Sequence, residues 1–127
     1  MLTYSPSGAL SPYHYKGGYF HGIHYGSYFD NASGLFEMID KETAFILKSP
    51  QQKRIMIDLY ETTLTDAVVN RLVHHLKEIE PRVIKLGISA KNKDMKILRK
   101  AIEKNNILHG CVCYGEDMEE VKTWLVK

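Results

Sequence analysis

The stretch Arg54-Ile55-Met56-Ile57-Asp58-Leu59 is a continuous apolar run of strand length, the pattern of a β-strand covered on both faces. The residues after this run set the fold class. Thr65 stands where a helix N-cap belongs, and Asp66 sits in the first turn, where the helix dipole favours a carboxylate. Val68, Val69, Leu72, Val73, Leu76 and Ile79 then recur at helical spacing until Pro81 closes the segment. Arg82 to Ile88, with VIKLGI at its centre, reads as a second strand. Asn92 or Lys93 opens another helix, with Met95, Leu98, Ala101 and Ile102 on one face and Asn105-Asn106 as its stop. Leu108 to Tyr114 reads as a third strand. Gly115 leads into a last helix, with Glu116 and Asp117 at its start and Met118, Val121 and Leu125 on its inner face. Strands alternating with helices require parallel pairing through right-handed crossovers.

Upstream the pattern is less regular. Leu35, Met38, Ile39, Phe45 and Ile46 fall roughly on one helical face, whereas Thr43-Ala44-Phe45-Ile46-Leu47 alone could form a short strand. Length favours a helix over 31–48, ended by Ser49-Pro50. Residues 1–29 carry one charged side chain, Lys16, with five Gly, three His and six of the eight Tyr. Tyr13-His14-Tyr15-Lys16 and Tyr19 to Tyr25 flank the turn dipeptide Gly17-Gly18, which predicts a β-hairpin at the sheet edge. A partly disordered arm competes for residues 1–10. The expected fold is α/β, a single layer of mostly parallel sheet with helices, preceded by this hairpin, in one domain over 1–127.

Composition agrees with that size. The chain has 127 residues, about one domain's length. Its 44% apolar and 25% charged content excludes wholesale disorder, a collagen-like repeat and a heptad rod. The net charge of +2 is too small to make the whole molecule a polyanion binder. No stretch approaches the roughly 18 apolar residues of a membrane span. The opening MLTYSPSGALSPYHYKGG has neither a basic start nor an apolar core, so no signal peptide is expected and a cytoplasmic location is.

Motifs that carry chemistry are mostly absent. There is no GxxxxGK[ST], no GxGxxG after a strand, no HExxH, no GxSxG and no EF-hand pattern. Cys111 and Cys113 lack the CxxC spacing of zinc and redox sites. Two apart on a strand, they would share a face as small buried hydrophobes. His21 and His24 stand three apart with His14 nearby, but strand-like spacing supplies no ligand geometry. His74 and His75 are helix neighbours facing about 100° apart, surface or partly buried. No metal and no cofactor is expected. Between Arg82 and Lys104 eight positive side chains stand against Asp94 and Glu103. A solvated helix face explains them, and with no interleaved aromatic a nucleic-acid partner is not expected.

Several pieces carry a family likeness when taken together: IMIDL, then YETTLTD before an amphipathic helix, RVIKLGIS, KILRKAIEKNN, VCYGEDMEEVKTWL and, upstream, YGSYFDNAS. Over residues 54–125 they resemble a STAS domain, the fold of bacterial anti-sigma-factor antagonists. The resemblance implies a non-enzymatic bacterial regulatory module in signalling, whose partner is another protein, a kinase or an anti-sigma-type regulator. The departure is at the helix start. The phosphorylatable members have Ser after the Asp, whereas here Asp66 is followed by Ala67, which has no hydroxyl, and Val69 and Asn70 stand where a Gly is usual.

The contact surface expected from that likeness is Thr62, Thr63, Thr65, Asp66, Ala67 and Asn70, with the Ser89 loop beside it if the two strands are adjacent. Ser89 and Thr65 are candidate phosphorylation sites, since phosphate is favoured at helix N-termini. Ser89 lies at the carboxyl edge of the sheet, and Gly87 would let a partner or phosphate approach closely. A different class remains open. The Tyr/His-rich segment could fold over the sheet as a small-ligand or enzymatic pocket with Asp58, Tyr60, Glu61, His21 and His24. Homodimerisation through residues 13–29, an aromatic sheet edge, is compatible with the interaction module.

Overall fold

The computed structural model describes residues 3–127. The hairpin is β1 (Tyr13–Tyr15) and β2 (Gly18–His24), followed by α1 (Ala32–Lys48). Next come β3 (Lys53–Asp58) and α2 (Asp66–Ile79), a 3-10 turn at Glu80–Arg82, then β4 (Val83–Ser89) and α3 (Asn92–Lys104). The chain closes with β5 (Val112–Tyr114) and α4 (Met118–Leu125). The strands lie in chain order, β1-β2-β3-β4-β5. β1 pairs antiparallel with β2, and every later pair is parallel. The chain is therefore an α/β protein with a mostly parallel sheet and an N-terminal hairpin.

Consecutive right-handed crossovers in one direction put their helices on one face. Leu35, Ile39 and Ile46 of α1, the apolar face of α2, and Met95, Leu98 and Ile102 of α3 pack there on Ile23, Ile55, Ile57, Leu86 and Ile88. The alternate residues of the strands face α4, where Val121 and Leu125 pack with Phe20 and Met56. Gly87 is part of this second core. A Cβ there would lie 2.6 Å from Val121 Cγ1 and 3.0 Å from Met56 Sδ. The space expected to admit a partner or phosphate at Gly87 is filled by α4.

Three further details depart from the expectations. The buried face of α1 is Leu35, Ile39, Glu42, Thr43 and Ile46, while Phe45 is exposed. β5 is three residues long, because Leu108 (φ 51°) and Gly110 (φ 76°) hold the preceding segment in turns. Consequently Cys111 precedes the strand and packs toward the three-helix face, while Cys113 packs toward α4. They share no face, and both are half-buried at the sheet edge. Burial raises both thiol pKa values, which keeps them as unreactive thiols.

Residues 3–12 run as a strap along the edge of β2; Met1 and Leu2 of the expected arm lie outside the described residues. Gly22 N donates to Leu10 O (3.1 Å) and His24 N to Ser7 Oγ (2.9 Å), so amides that β1 does not reach are satisfied. The hairpin's aromatics turn inward: Tyr13 stacks on Phe20 with ring centroids 4.8 Å apart, and Lys122 lies over Tyr13. Tyr19 and His14 remain exposed.

Behind β2 lies a buried polar network. Thr43 Oγ1 donates to Ile39 O (2.9 Å), so it accepts from His75 Nδ1 (2.7 Å); His75 Nε2 then accepts from Tyr25 OH (2.9 Å). His75 is thus a neutral core imidazole, and burial with the nearby Arg71 charge holds its pKa down at about 4. The unfolded chain takes up this proton at ordinary histidine pKa and the folded chain does not, so acid favours unfolding. Stability is predicted to fall by on the order of 3 kcal/mol as pH drops from about 6.5 to about 4. Urea titrations across that window check it: the slope should be present in the wild type and largely gone in His75→Gln.

Candidate functional site

At the carboxyl ends of β2 and β3 the chain leaves the sheet twice, and the two exits run side by side. Tyr25 N donates to Asp58 O (3.1 Å), Ser27 N to Tyr60 O (2.7 Å), Phe29 N to Glu61 O (2.8 Å) and Thr63 N to Phe29 O (2.9 Å). Thr62 Oγ1 donates to Tyr25 O (2.6 Å) and accepts from Tyr28 N, and Thr63 Oγ1 donates to Asp30 Oδ1 (2.7 Å). Within this double loop Ser27, Phe29 and Glu61 all have left-handed backbones, with φ of 65°, 51° and 62°. That conformation is uncommon for Ser and Glu and strained for a bulky Phe, so the ladder of bonds must hold it.

The strain has a visible product. Phe29 is 58% exposed, and across a groove of about 510 Å³ it faces Leu64 and Ile97, itself 45% exposed. Lys91, Lys93, Glu61 and Asp94 line the same groove. α2 starts beside it: Thr65 Oγ1 accepts from Val68 N (3.2 Å), and Asp66, Ala67 and Asn70 are exposed. Thr63 is exposed and Thr62 buried. Ser89 pairs in register with Asp58, so β3 and β4 are adjacent, but its side chain faces α4 and is fully buried. Its hydroxyl lies 3.4 Å from both Tyr60 OH and Glu116 O. The next loop, at Lys91 and Lys93, joins the exposed surface in its place.

The five residues of the ligand-pocket alternative divide between the faces. His24 Nδ1 donates to Asp58 Oδ2 (2.8 Å) on the α4 side, and Tyr60 OH donates to Glu116 O (2.6 Å). Gly26 permits this pairing, since a Cβ there would lie 2.5 Å from Asp58 Oδ1. Glu61 lines the groove. His21 lies on the opposite face, because three residues along a strand reverse the direction of a side chain. Its Nε2 donates to Glu42 Oε1 (2.9 Å), its Nδ1 lies 2.6 Å from Ser11 Oγ, and the other Glu42 oxygen accepts from Ser7 N. Among the described residues no three His, Cys, Asp or Glu side chains come together as a metal site.

His21 is therefore the clamp on the strap. Burial alone would raise the Glu42 pKa, but the hydrogen bonds from His21 and Ser7 outweigh it and the net shift is downward. The ionised Glu42 carboxylate held by these hydrogen bonds stabilises the fold above the ordinary carboxyl pKa, and that contribution is lost as Glu42 protonates at lower pH.

Residue type alone does not single out Phe29, Leu64 and Ile97. Ile97 carries the one usable signal: it interrupts the lysine face of α3, between Lys96 and Lys100, with an exposed aliphatic side chain. Among the described residues no helix is long and apolar enough to cross a membrane. Compared with known proteins, the chain matches no family model, no curated protein and no solved structure.

The strap clamp yields a test. Glu42→Ala leaves His21 and the Ser7 amide without their acceptor and should cost on the order of 2–4 kcal/mol. Amide exchange at Ser7, Gly22 and His24 should accelerate more than that global loss accounts for, whereas exchange in β4 should track it.

Proposed function

We propose that this domain is a non-enzymatic interaction module that docks another protein on the carboxyl edge of its sheet. Its use would be that of the bacterial anti-sigma-factor antagonists it resembles, in cytoplasmic signalling with a kinase or anti-sigma-type regulator as the partner. The observation that carries this proposal is Phe29: a large aromatic kept in solvent by a strained, fully bonded backbone, beside Leu64, Ile97 and the exposed start of α2. An aromatic anchor ringed by polar and charged groups is the usual composition of a binding hot spot. Asp66, Ala67 and Asn70 are exposed at the start of α2, and Lys91 and Lys93 line the groove on the α3 side. Because Ala67 cannot carry phosphate, any switch acts elsewhere; Thr65 is exposed, though its hydroxyl is engaged as the cap of α2.

A second proposal, a ligand-binding or catalytic domain, is favoured by one geometry. Asp58 holds His24 through Nδ1 and leaves Nε2 without a hydrogen-bond partner among the described residues. Titration of the His24 resonances in the presence of candidate metabolites separates it from the first.

Phe29→Asn tests the docking proposal. Asn tolerates a left-handed backbone better than Phe does, so the domain should be as stable as the wild type or slightly more so. Capture of the partner from native lysate should nevertheless weaken by about 2 kcal/mol or more, roughly thirtyfold. Asp66→Lys should weaken capture with the fold intact. Undiminished capture by both folded variants would remove this surface from the interaction.

A further inference from the structure

The opposite, amino-terminal edge of the sheet holds a second feature that docking at the carboxyl edge does not use. Between the starts of β2, β3 and β4 lies an open cleft of about 220 Å³, lined by Lys53, Arg54, Gln51, Gln52, Tyr19 and Ile84 among others. Its charge is one-sided. Two cations line it and no carboxylate does. The other clefts differ: Arg99 meets Glu103 in one, Lys91 and Lys93 meet Glu61 and Asp94 in another, and the smallest holds Asp30 with no cation.

The two cations are also unneutralised. Neither Lys53 nor Arg54 takes part in an ion pair among the described residues. Arg54 Nε is buried with no acceptor, so the stem of the side chain is enclosed while its charge has no partner. Buried donors in native proteins rarely go unanswered, and a guanidinium is the side chain best shaped to take a planar carboxylate. Glu42 does not compensate, since both its oxygens are engaged by His21 and Ser7. Two of the other lining residues offer apolar surface in solvent: Tyr19 is 55% exposed and Ile84 40%. At about 220 Å³ the cleft is smaller than the roughly 300–1,000 Å³ of drug-sized sites, so its ligand is small.

We propose that this cleft binds a small planar organic anion, with its carboxylate on Arg54 and Lys53 and its flat apolar body against Tyr19 and Ile84. The cleft takes charge and an apolar body together, which separates such a ligand from a bare ion or an uncharged aromatic.

Titrations of the full chain followed by ¹⁵N NMR test this, using sodium benzoate, inorganic phosphate and benzylammonium chloride as probes. Benzoate should shift the Arg54 Nε–H resonance and the amides of Tyr19 and Lys53 along one saturable curve. Phosphate has charge without a body, and benzylammonium has the body with the wrong charge; each should bind at least about tenfold more weakly. Arg54→Gln should weaken benzoate by about tenfold or more, as loss of a charge-assisted hydrogen bond predicts. Tyr19→Ser, at an exposed position, should weaken it with the urea midpoint unchanged. If Arg54→Gln fails to fold, the Tyr19→Ser result and the ranking of probes decide. The proposal is overturned by any of three results: no saturable benzoate shift at millimolar concentration, equal binding of benzylammonium or phosphate, or folded variants that keep full benzoate affinity.

Discussion

Parallel pairing of His21–His24 with Ile55–Asp58 is the constraint on which the rest of the molecule depends. It takes a strand from the charge-poor beginning of the chain and seats it inside the sheet, next to the most apolar strand. That register sorts the side chains between faces, apposes His24 with Asp58, and aligns the 25–31 exit with 58–63. The strap along the outer edge of β2 is secured through the same strand. His21 points back to Glu42 of α1, and Glu42 in turn holds Ser7. A one-residue slip would send His21 to α4 and Ile23 out of the main core.

The layering explains why the two ends of the sheet differ. Three helices cover one face and α4 covers the other, so both faces of the central strands are buried and only the edges and strand ends remain for recognition. The carboxyl end carries a groove of mixed charge with a projecting aromatic. The amino end carries an unneutralised guanidinium in a smaller cleft. Open parallel sheets commonly place sites at the carboxyl ends of their strands. The cleft at the other end arises here because Tyr19 of the hairpin and the 51–54 segment entering β3 wall in the strand starts.

Much of the architecture is legible in the chain because burial on two faces writes itself as continuous apolar runs, and helices write themselves as stripes. IMIDL, VIKLGI and the Val68–Ile79 stripe are such signals, and Thr65 marks its helix start correctly. Sequence and structure part where polar residues are buried or apolar ones exposed. Glu42, Thr43 and His75 are polar yet lie in the core because each finds a bonded partner contributed by a distant element, which no local pattern reveals. Phe45 falls on the expected apolar face of its helix and is nevertheless exposed. The expected third strand is overlong because positive φ at Leu108, a rare conformation for Leu, cannot be anticipated from residue type. Thr62, Thr63 and Leu64 share a groove with Lys91 and Lys93 after β4, whose strand is adjacent to β3. Ser89 itself does not join that surface, since pleating turns it under α4. The projection of Phe29 depends on a backbone strain that composition does not encode.

The β2–β3 register is open to one direct measurement. The pairing sets Gly22 opposite Met56, Ile23 opposite Ile57 and His24 opposite Asp58, with the His24 ring on the α4 side. A ¹³C-edited NOESY spectrum should therefore show contacts between β2 and β3 in this parallel register, with no contact from the His24 ring to Glu42 or Phe45. Contacts from the His24 ring to α1, or an antiparallel pattern of contacts between β2 and β3, would contradict the account.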